Sequence, residues 1–397
     1  MSAHSVTSER GAILVQTAVA SVVLLGLGAF AVDYGVLWVS RAQAQTAADE
    51  GAMAGALARA YDDLGDPPAD GGIVYSSATQ VALRQKVWTE PPSVAVSINC
   101  PADVDGGKCV RVDVSRDADS GNPLPTFFGP VLGITSQDVR ATATAQVRIG
   151  NATDCLRPLA IPDRWVEHRP TNGPWDSTAQ FQRYAEGSPL GTLLPNPVDV
   201  YEPPSTSSVG TGLNTSDTDE ITLTFPPDQR VFPGWFQPLD LPGGNTYEEN
   251  IVGCVGTLVS VGQQVPISTA ADATANETSE EFNNLIALDP GARWNRGQNQ
   301  VQQSCAPDCA PRSPRIIAIA AFDVDAYEQM RAAGNWSGCP TAARCVRVVN
   351  LFGFFIDSVD GPGVVSGYLT TYSGVAAASP PPFDWPSSFV KAITLVR

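Results

Sequence analysis

The chain of 397 residues carries 41 acidic and 24 basic side chains, a formal charge of −17 at pH 7. It shows no cluster of lysine and arginine of the kind that contacts nucleic-acid phosphates, so we exclude nucleic acid as a partner. A hydrophobic content of 43% is typical of chains with folded cores, while 16% charged residues with 35 Gly and 33 Pro favour short strands and turns over a long-helix bundle.

An apolar run near the amino terminus, Ile13 to Val32, has no charged residue. A helix of this length spans about 30 Å, the hydrocarbon thickness of a bilayer. A secretory signal has a shorter apolar core of about 7–15 residues. We therefore predict an uncleaved membrane anchor, and signal cleavage after the Ala42-Gln43-Ala44 triplet stays open as the alternative.

All eight cysteines follow the apolar run, which indicates that the chain beyond it lies in an oxidising compartment. Arg10, on the other side, gives a weak positive-inside signal. Only three of the 24 basic residues are lysines, a bias that with the Ala, Gly and Pro content indicates a GC-rich bacterial genome. We expect a single-pass protein of the bacterial cytoplasmic membrane, with its amino terminus inside and the bulk of the chain extracytoplasmic.

The membrane helix is predicted to continue outward, because residues 36–60 contain no proline and are rich in alanine. The pairs Gly51 with Gly55 and Ala31 with Gly35 have the small-xxx-small spacing that allows close helix contact, although alanine-rich chains also produce it by chance. Asp33 has two interpretations, an interfacial acid or a contact for a basic group of a partner.

The sequence RGAILVQTAVASVVLLGLGAFAVDYGVLWVSRAQAQTAADEGAMAGALA, residues 10–58, resembles the amino-terminal segment of TadE/TadG-like proteins of the Flp, or tight-adherence, pilus assembly system. The shared features are the Arg10-Gly11 start, the small-residue apolar span, the Val32-Asp33 pair and the Ala47-Ala48-Asp49 helix. Residues 110–147 also resemble the strand, TFF…LG segment and ATATA strand that follow in these pilin-like proteins. The resemblance therefore covers about the first 150 residues and also includes residues 155–165.

One departure from the family's pilins bears on processing. In the true pilins of this system a peptidase cuts after a glycine and relies on a glutamate five residues later, whereas the fifth residue after Gly11 is Gln16. The resemblance thus implies an anchored assembly or minor structural component rather than a major pilin. We take five residues as hypotheses for assembly contacts: Gly11, Asp33, Ala48, Ala52 and Gly55.

The first part of the chain beyond the helix is predicted to be mixed. Hydrophobic periodicity and turn residues predict a break at Tyr61–Gly72, a helix at Ser76–Trp88, strands at Ser93–Asn99, Val110–Val114 and Val139–Val147, and a short apolar helix face of Phe127, Phe128, Val131 and Leu132.

The second part reads as strands separated by Pro and Gly clusters. The best candidates are Glu220–Phe225, Ile251–Ile267, Pro314–Val324, Cys345–Val359 and Val390–Val396.

The cysteines are disulfide candidates: Cys100, Cys109, Cys155, Cys254, Cys305, Cys309, Cys339 and Cys345. A bond from Cys100 to Cys109 across a hairpin is our preferred pairing. Cys305 with Cys309, Cys339 with Cys345, and Cys155 with Cys254 are guesses among about 105 connectivities. The last four cysteines are also a conceivable zinc set, but their spacings miss the common two-residue knuckle.

The fold class expected from these elements is α+β: a long amino-terminal transmembrane helix, a small pilin-like α+β domain and a larger disulfide-stapled β-rich domain. The expected boundaries are a cytoplasmic leader at 1–11, the transmembrane helix and its outward extension at 12–60, the pilin-like domain at 61–150 and the extracytoplasmic β-rich domain at 151–397.

The sequence contains few candidates for catalytic residues. His168 is the one histidine outside the leader, which makes a Ser-His-Asp triad depend on it, and Walker, dinucleotide and nucleophile-elbow motifs are absent from the sequence. Acid pairs at 103/105, 217/219, 323/325 and 357/360 fit no EF-hand loop. We expect no enzymatic activity, no metal and no cofactor.

The function predicted on these grounds is that of a membrane-anchored component of a Flp/Tad-type pilus assembly or tight-adherence system, acting by protein contacts. Its expected partners are the membrane, other pilus-assembly membrane proteins or pilin subunits, and a second copy of itself. The alternatives are a membrane-anchored surface adhesin or envelope-binding protein without a pilus, and a minor pilin processed after Gly11.

Overall fold

The computed structural model of the protein describes residues 9–61, 67–102, 108–167, 180–195, 199–203, 219–254, 256–269, 272–306, 312–341, 343–377 and 389–396. The chain divides into two compact units, Met1–Val147 with Ile393–Arg397, and Arg148–Ala392. The α+β class with a long amino-terminal helix and disulfides in the strand-rich second part is confirmed.

A single helix of 53 residues opens the first unit. The helix, α1 (Glu9–Tyr61), is unbroken because the segment has no proline and its glycines are flanked by strong helix formers. At about 1.5 Å per residue it is about 80 Å long, far more than one bilayer requires. The predicted continuation of the helix beyond the apolar run is therefore confirmed.

The rest of the first unit packs a second helix and an antiparallel sheet on the outer half of α1. Its elements are α2 (Ile73–Arg84), β1 (Ser93–Ser97), β2 (Lys108–Arg116), β3 (Leu124–Pro125), the 3-10 helix Gly129–Leu132, β4 (Ser136–Gln137) and β5 (Val139–Ile149). Strands β1, β2 and β5 are neighbours in that order, with Lys108 opposite Val147 and Arg116 opposite Val139.

The described part of the second unit is strand-rich and contains three helices. In chain order its elements are β6 (Ala152–Thr153), β7 (Leu156–Pro162), β8 (Trp165–Glu167), β9 (Asp199–Tyr201), β10 (Ile221–Thr224), β11 (Gln237–Pro238), α3 (Tyr247–Val252), β12 (Val259–Ser260), β13 (Gln264–Pro266), α4 (Ala275–Leu288), β14 (Arg293–Asn295), β15 (Gln300–Gln302), β16 (Ile316–Phe322), α5 (Val324–Ala333), β17 (Cys345–Gly361), β18 (Val364–Thr370), β19 (Tyr372–Ser373) and β20 (Val390–Val396). The end of β20 lies in the first unit.

The core of the second unit lies on both faces of one sheet with the strand order β10-β18-β17-β16-β7-β11. Strand β16 is central and its residues alternate between two apolar clusters, with Ala318 and Ala320 in one and Ile317 and Ile319 in the other. A strand covered on both faces needs a continuous apolar sequence, which IIAIAAF supplies. Strand β7 runs parallel to β16, whereas β17 runs antiparallel to it.

Most predicted strands of the second unit are confirmed within one or two residues, but one is wrong in part. The run Ile251–Ile267 begins in helix α3 and then forms the two short strands β12 and β13. The helix is favoured by a capping box, in which the Thr246 hydroxyl accepts from the Glu249 N–H while the Glu249 carboxylate accepts from the Thr246 N–H. Helices α4 and α5 were not predicted from the sequence.

Candidate membrane and assembly interface

The inner half of α1 presents apolar side chains to its surroundings over its whole circumference. Its most apolar 18-residue window has no buried residue, and the helix is long and apolar enough to cross a membrane. Leu25, for example, is 74% exposed. A helix that is apolar all round and of this length fits a single-pass membrane anchor.

Exposure changes sharply at the outer end of this span. Asp33 follows the apolar run, and the aromatic side chains of Tyr34 and Trp38 come directly after it and are exposed. Tyr and Trp are enriched at membrane–water interfaces, where their rings reach both apolar and polar groups. From Ser40 onward the helix turns one face into the protein core, beginning with Ser40 and Ala44, both fully buried.

Asp33 binds a loop that lies almost 100 residues later in the chain. Its Oδ1 accepts the Phe127 N–H at 2.8 Å, its Oδ2 accepts the Gly129 N–H at 2.8 Å, and the Phe128 N–H lies 3.1 Å from Oδ2. These amides belong to the start of the 3-10 helix Gly129–Leu132, so the carboxylate satisfies donors that have no partner inside that helix. Asp33 is therefore an intramolecular cap, a contact that neither sequence interpretation named, and its interfacial position stays a prediction.

The loop whose amides donate to Asp33 is closed at its base by a pair of short strands and carries apolar side chains at its tip. Strands β3 and β4 pair at its base, with Leu124 opposite Gln137 and Pro125 opposite Ser136. Phe127, Phe128, Val131 and Ile134 project from the tip and are exposed, Val131 by 86%. These residues include part of the predicted short apolar helix face, while the side chain of Leu132 lies outside the described residues.

The tip and α1 enclose a groove of about 840 Å³. The α1 wall runs from Val22 to Leu37, which is about 22 Å along the helix axis. Phe128, Val131 and Ile134 line the opposite wall. Almost all of the lining is apolar, and Asp33 lies within it with its carboxylate occupied by the loop amides.

The small-residue face of the outer half of α1 packs inside the first unit. Ala48 and Ala52 are fully buried. A Cβ at Gly51 would lie 2.9 Å from Ala82 Cβ, and one at Gly55 would lie 2.7 Å from Val110 Cγ1. Close approach to α2 and β2 thus requires these glycines, and the face has no free surface for a partner.

This packing bears on the five predicted contact residues. Ala48, Ala52 and Gly55 serve contacts within the subunit, and their predicted role in assembly is not supported by their burial. Gly11 is a residue of α1 whose surroundings lie outside the described residues. Asp33 is the one of the five at the outer edge of the span, and its carboxylate is already engaged by the loop.

A buried arginine ties the outer end of α1 to the sheet. Arg59 is nearly buried, and its guanidinium donates to the Ile98 carbonyl at 3.0 Å and to the Cys109 carbonyl. Cys109 is disulfide-bonded to Cys100. Arg59 therefore links three parts of the first unit at one place: the end of α1, the loop before β2, and β2 itself.

Two further disulfides have both cysteines among the described residues of the second unit, Cys155 to Cys254 and Cys339 to Cys345. Both pairs are among those named from the sequence. Cys305 is disulfide-bonded, and Cys309 lies outside the described residues. A cysteine in a disulfide has no thiolate with which to bind zinc. The alternative of a zinc site is therefore wrong for Cys339 and Cys345.

The acid pairs that the structure describes have structural roles. Asp323 caps α5 by accepting the Ala326 N–H at 2.9 Å, and it also pairs with Arg347 at 2.6 Å. Asp325 contacts Arg183 and the Tyr184 hydroxyl. Burial raises the pKa of Asp325, and burial together with this carboxylate raises the pKa of Tyr184 to about 12.

Asp357 lies 3.9 Å from the Arg315 guanidinium, and Asp360 accepts from Ser358 and Ser366. Within the described ranges, no group of three or more His, Cys, Asp or Glu side chains could hold a metal ion. His168, Asp103, Asp105 and Asp217 lie outside the described residues.

The loop contact of Asp33 is the functional feature that sequence reasoning missed. The segment TFFGPVLGITSQ carries a signal in the sequence, since an uncharged run with several apolar side chains is unusual for a surface loop. The loop lies against α1 through contacts between residues that are 94 to 96 positions apart in the chain. No local sequence pattern reveals contacts at such a separation.

Comparison with known proteins assigns the amino-terminal segment. No curated protein and no solved structure matches the chain. Residues 11–59 match a family model described as putative Flp pilus-assembly TadE/G-like. The match covers the apolar span and the outer part of α1 and ends before α2, so the wider resemblance predicted up to about residue 150 stays a prediction. The amino-terminal segment of this chain is therefore similar to the family described as putative Flp pilus-assembly TadE/G-like.

Proposed function

We propose that the protein is a membrane-anchored component of a Flp/Tad-type pilus assembly system that acts by protein contacts rather than by catalysis. The observation that carries the proposal is the TadE/G-like match over residues 11–59, which coincides with the one helix of the described residues that is long and apolar enough to cross a membrane. TadE/G-like proteins are a pilus-assembly family and not a known enzyme family.

The proposed topology is single-pass, with the amino terminus in the cytoplasm and the rest of the chain outside. The disulfides Cys100–Cys109, Cys155–Cys254 and Cys339–Cys345, which all lie beyond the span, support this orientation because such bonds persist in oxidising compartments. The proposed organisation keeps a leader at 1–11, an anchor helix at 12–60, and extracytoplasmic domains at 61–150 and 151–397.

The proposed contact face for partner helices lies within the span, on the side of α1 away from the loop. At 100° per residue, Gly28, Ala31 and Gly35 all fall within about 40° of the direction opposite Asp33. A Cβ built at Gly28 or at Gly35 meets nothing within 4 Å, so this small-residue stripe is uncovered within the chain. Small residues let two membrane helices approach closely, and the partners proposed for the stripe are pilus-assembly membrane proteins or pilin subunits.

Co-purification from native membranes tests both the function and the face. We expect the full-length protein to retrieve pilus-assembly proteins and its deletion to abolish surface pili. Ala31→Leu should reduce both retrieval and piliation, because the larger side chain holds the helices apart. Ala18→Leu is the matched control, since residue 18 is exposed, lies on the Asp33 side and precedes the groove.

Two outcomes would count against the proposal in different ways. Equal retrieval by the Ala31→Leu and Ala18→Leu proteins would reject the contact face. Normal piliation after deletion, with no pilus protein retrieved by the wild type, would reject the pilus function and favour a surface adhesin that carries the same anchor.

A further inference from the structure

The apolar tip formed by residues 127–134 lies beside the membrane span and not out in solution. Asp33, which binds the tip, is the first residue after the uncharged run Ile13 to Val32. The groove between tip and helix extends inward along α1 as far as Val22, eleven residues before Asp33. The tip therefore occupies the level at which the outer leaflet would begin.

The composition of the tip is that of a lipid-facing segment. Residues 126–137, TFFGPVLGITSQ, contain no charged side chain. Phe127 and Val131 are 55% and 86% exposed, and Phe128 and Ile134 are exposed as well. An apolar cluster of this size in contact with water would be unfavourable, and it is continuous with the exposed apolar surface of α1.

The backbone of the tip is also suited to a medium without water. Asp33 accepts the amides of residues 127, 128 and 129, and Pro130 has no amide hydrogen. The amides of residues 131, 133 and 134 donate to carbonyls of residues 128, 130 and 129. The Thr126 hydroxyl donates to the Ile134 carbonyl at 2.6 Å. Pairing of these amides lowers the cost of placing a non-helical backbone at the edge of the hydrocarbon, where an unpaired polar group is unfavourable.

We propose that residues 127–134 form a wedge that inserts into the outer leaflet beside α1, with lipid hydrocarbon filling the groove between them. The occupant is lipid because the wedge and the groove continue the apolar surface of the span, while Tyr34 and Trp38 mark the interface at the same level. The wedge would fix the depth and rotation of α1 and so orient the small-residue stripe toward its partners. This inference rests on the proposed anchoring of α1.

Nitroxide depth measurements on the full-length protein in phospholipid nanodiscs test the wedge. The described cysteines include no free thiol, so Val131→Cys introduces a single labelling position among them. A label at position 131 should collide several-fold more often with oxygen, which dissolves in lipid, than with a water-soluble nickel complex. Val22→Cys provides the reference for the span, and Leu83→Cys on α2 provides an exposed reference outside it.

The outcomes separate the wedge from the anchor. Lipid-like collision ratios at both 131 and 22, with a water-like ratio at 83, would support the wedge. A water-like ratio at 131 with a lipid-like ratio at 22 would overturn the wedge while leaving the anchor intact. Low accessibility to both reagents at 131 would mean that protein, such as a second copy of the chain, covers the tip and would also overturn the proposal. A water-like ratio at 22 would reject the anchor itself.

Discussion

Asp33 and Gly129 lie 96 positions apart in the chain and are joined by a hydrogen bond of 2.8 Å from the Gly129 N–H to the Asp33 carboxylate. The contact connects the outer end of the membrane span to the apolar loop of the first unit. Because the same carboxylate accepts two further amides, one side chain determines where that loop lies.

Asp33→Asn should loosen the loop without unfolding the first unit. The amide keeps one acceptor oxygen but loses the charge, and hydrogen bonds to charged groups contribute about 1.5–3 kcal/mol each, roughly twice the neutral value. We expect the amides of Phe127, Phe128 and Gly129 to exchange with deuterium at least about tenfold faster, which corresponds to about 1.4 kcal/mol. Mass spectrometry of the intact protein in nanodiscs measures this exchange.

Asp119→Asn is the control for that variant, since this carboxylate is highly exposed and pairs with the exposed Arg140. Unchanged exchange of residues 127–129 in the Asp33→Asn protein would show that the cap does not hold the loop.

Gly55→Ala should destabilise the packing of α1 on α2. The added Cβ would lie 2.7 Å from Val110 Cγ1 and 3.0 Å from Ala78 Cβ, and overpacking of this kind costs about 1–3 kcal/mol, against a gain of at most about 1 kcal/mol in helix propensity. We expect faster hydrogen exchange of α2 amides. Gly35→Ala is the matched control, because its Cβ meets nothing within 4 Å. Equal exchange in the two variants would contradict the packing account.

The disulfides Cys155–Cys254 and Cys339–Cys345 should differ in what they contribute to stability. Cys155 and Cys254 are 99 residues apart, whereas Cys339 and Cys345 are 6 apart. Loop closure in the unfolded chain predicts contributions of about 4.7 and about 2 kcal/mol. Replacement of both cysteines of a pair by serine, followed by urea unfolding monitored by near-ultraviolet circular dichroism, should therefore lower the midpoint more for the first pair. A larger effect of the short-loop pair would refute the entropic explanation.

Acid should weaken the second unit through Asp289. Burial alone would raise the pKa of Asp289, but hydrogen bonds from the Ser304 and Ser313 hydroxyls and the Cys305 N–H outweigh it and hold the pKa below its usual value of 3.8. A carboxyl group with a lowered pKa in the folded state stabilises the fold above its unfolded pKa, and this contribution is lost as the pH falls through the folded value.

The corresponding variant is Asp289→Asn. At pH 6 it should have a lower urea midpoint than the wild type, by about 1–3 kcal/mol in unfolding free energy, and the difference should shrink toward pH 2. Glu280→Gln, an exposed carboxylate on α4, serves as the control. A difference between Asp289→Asn and wild type that does not change between pH 6 and pH 2 would contradict the assignment.

Local patterns predict α1 and the larger strands because their causes are local. An uncharged run, the absence of proline and period-two alternation each act within about ten residues, and α1, β16, β17 and β20 follow them. Helices α4 and α5 were missed although Thr274 and Asp323 supply capping signals, since the Gly and Pro content favoured strands throughout.

The site was predicted less completely than the fold, because its contacts are distant in sequence. The spacing of Gly51 and Gly55 also arises by chance in alanine-rich chains, and it does not say whether a close neighbour is a partner chain or α2. Likewise, the position of Asp33 after the span indicates an interfacial role, while its three amide donors come from a loop 94 to 96 residues away.

The central claim is that α1 is retained as a membrane anchor. The most direct test is the amino-terminal residue and intact mass of the protein isolated from its native membranes. The account predicts a chain that begins before Glu9 and keeps the whole span. A chain beginning at Gln45 would contradict it, because the span would have been removed and the protein secreted. One beginning at Ala12 would contradict the assembly role in favour of a processed pilin-like subunit.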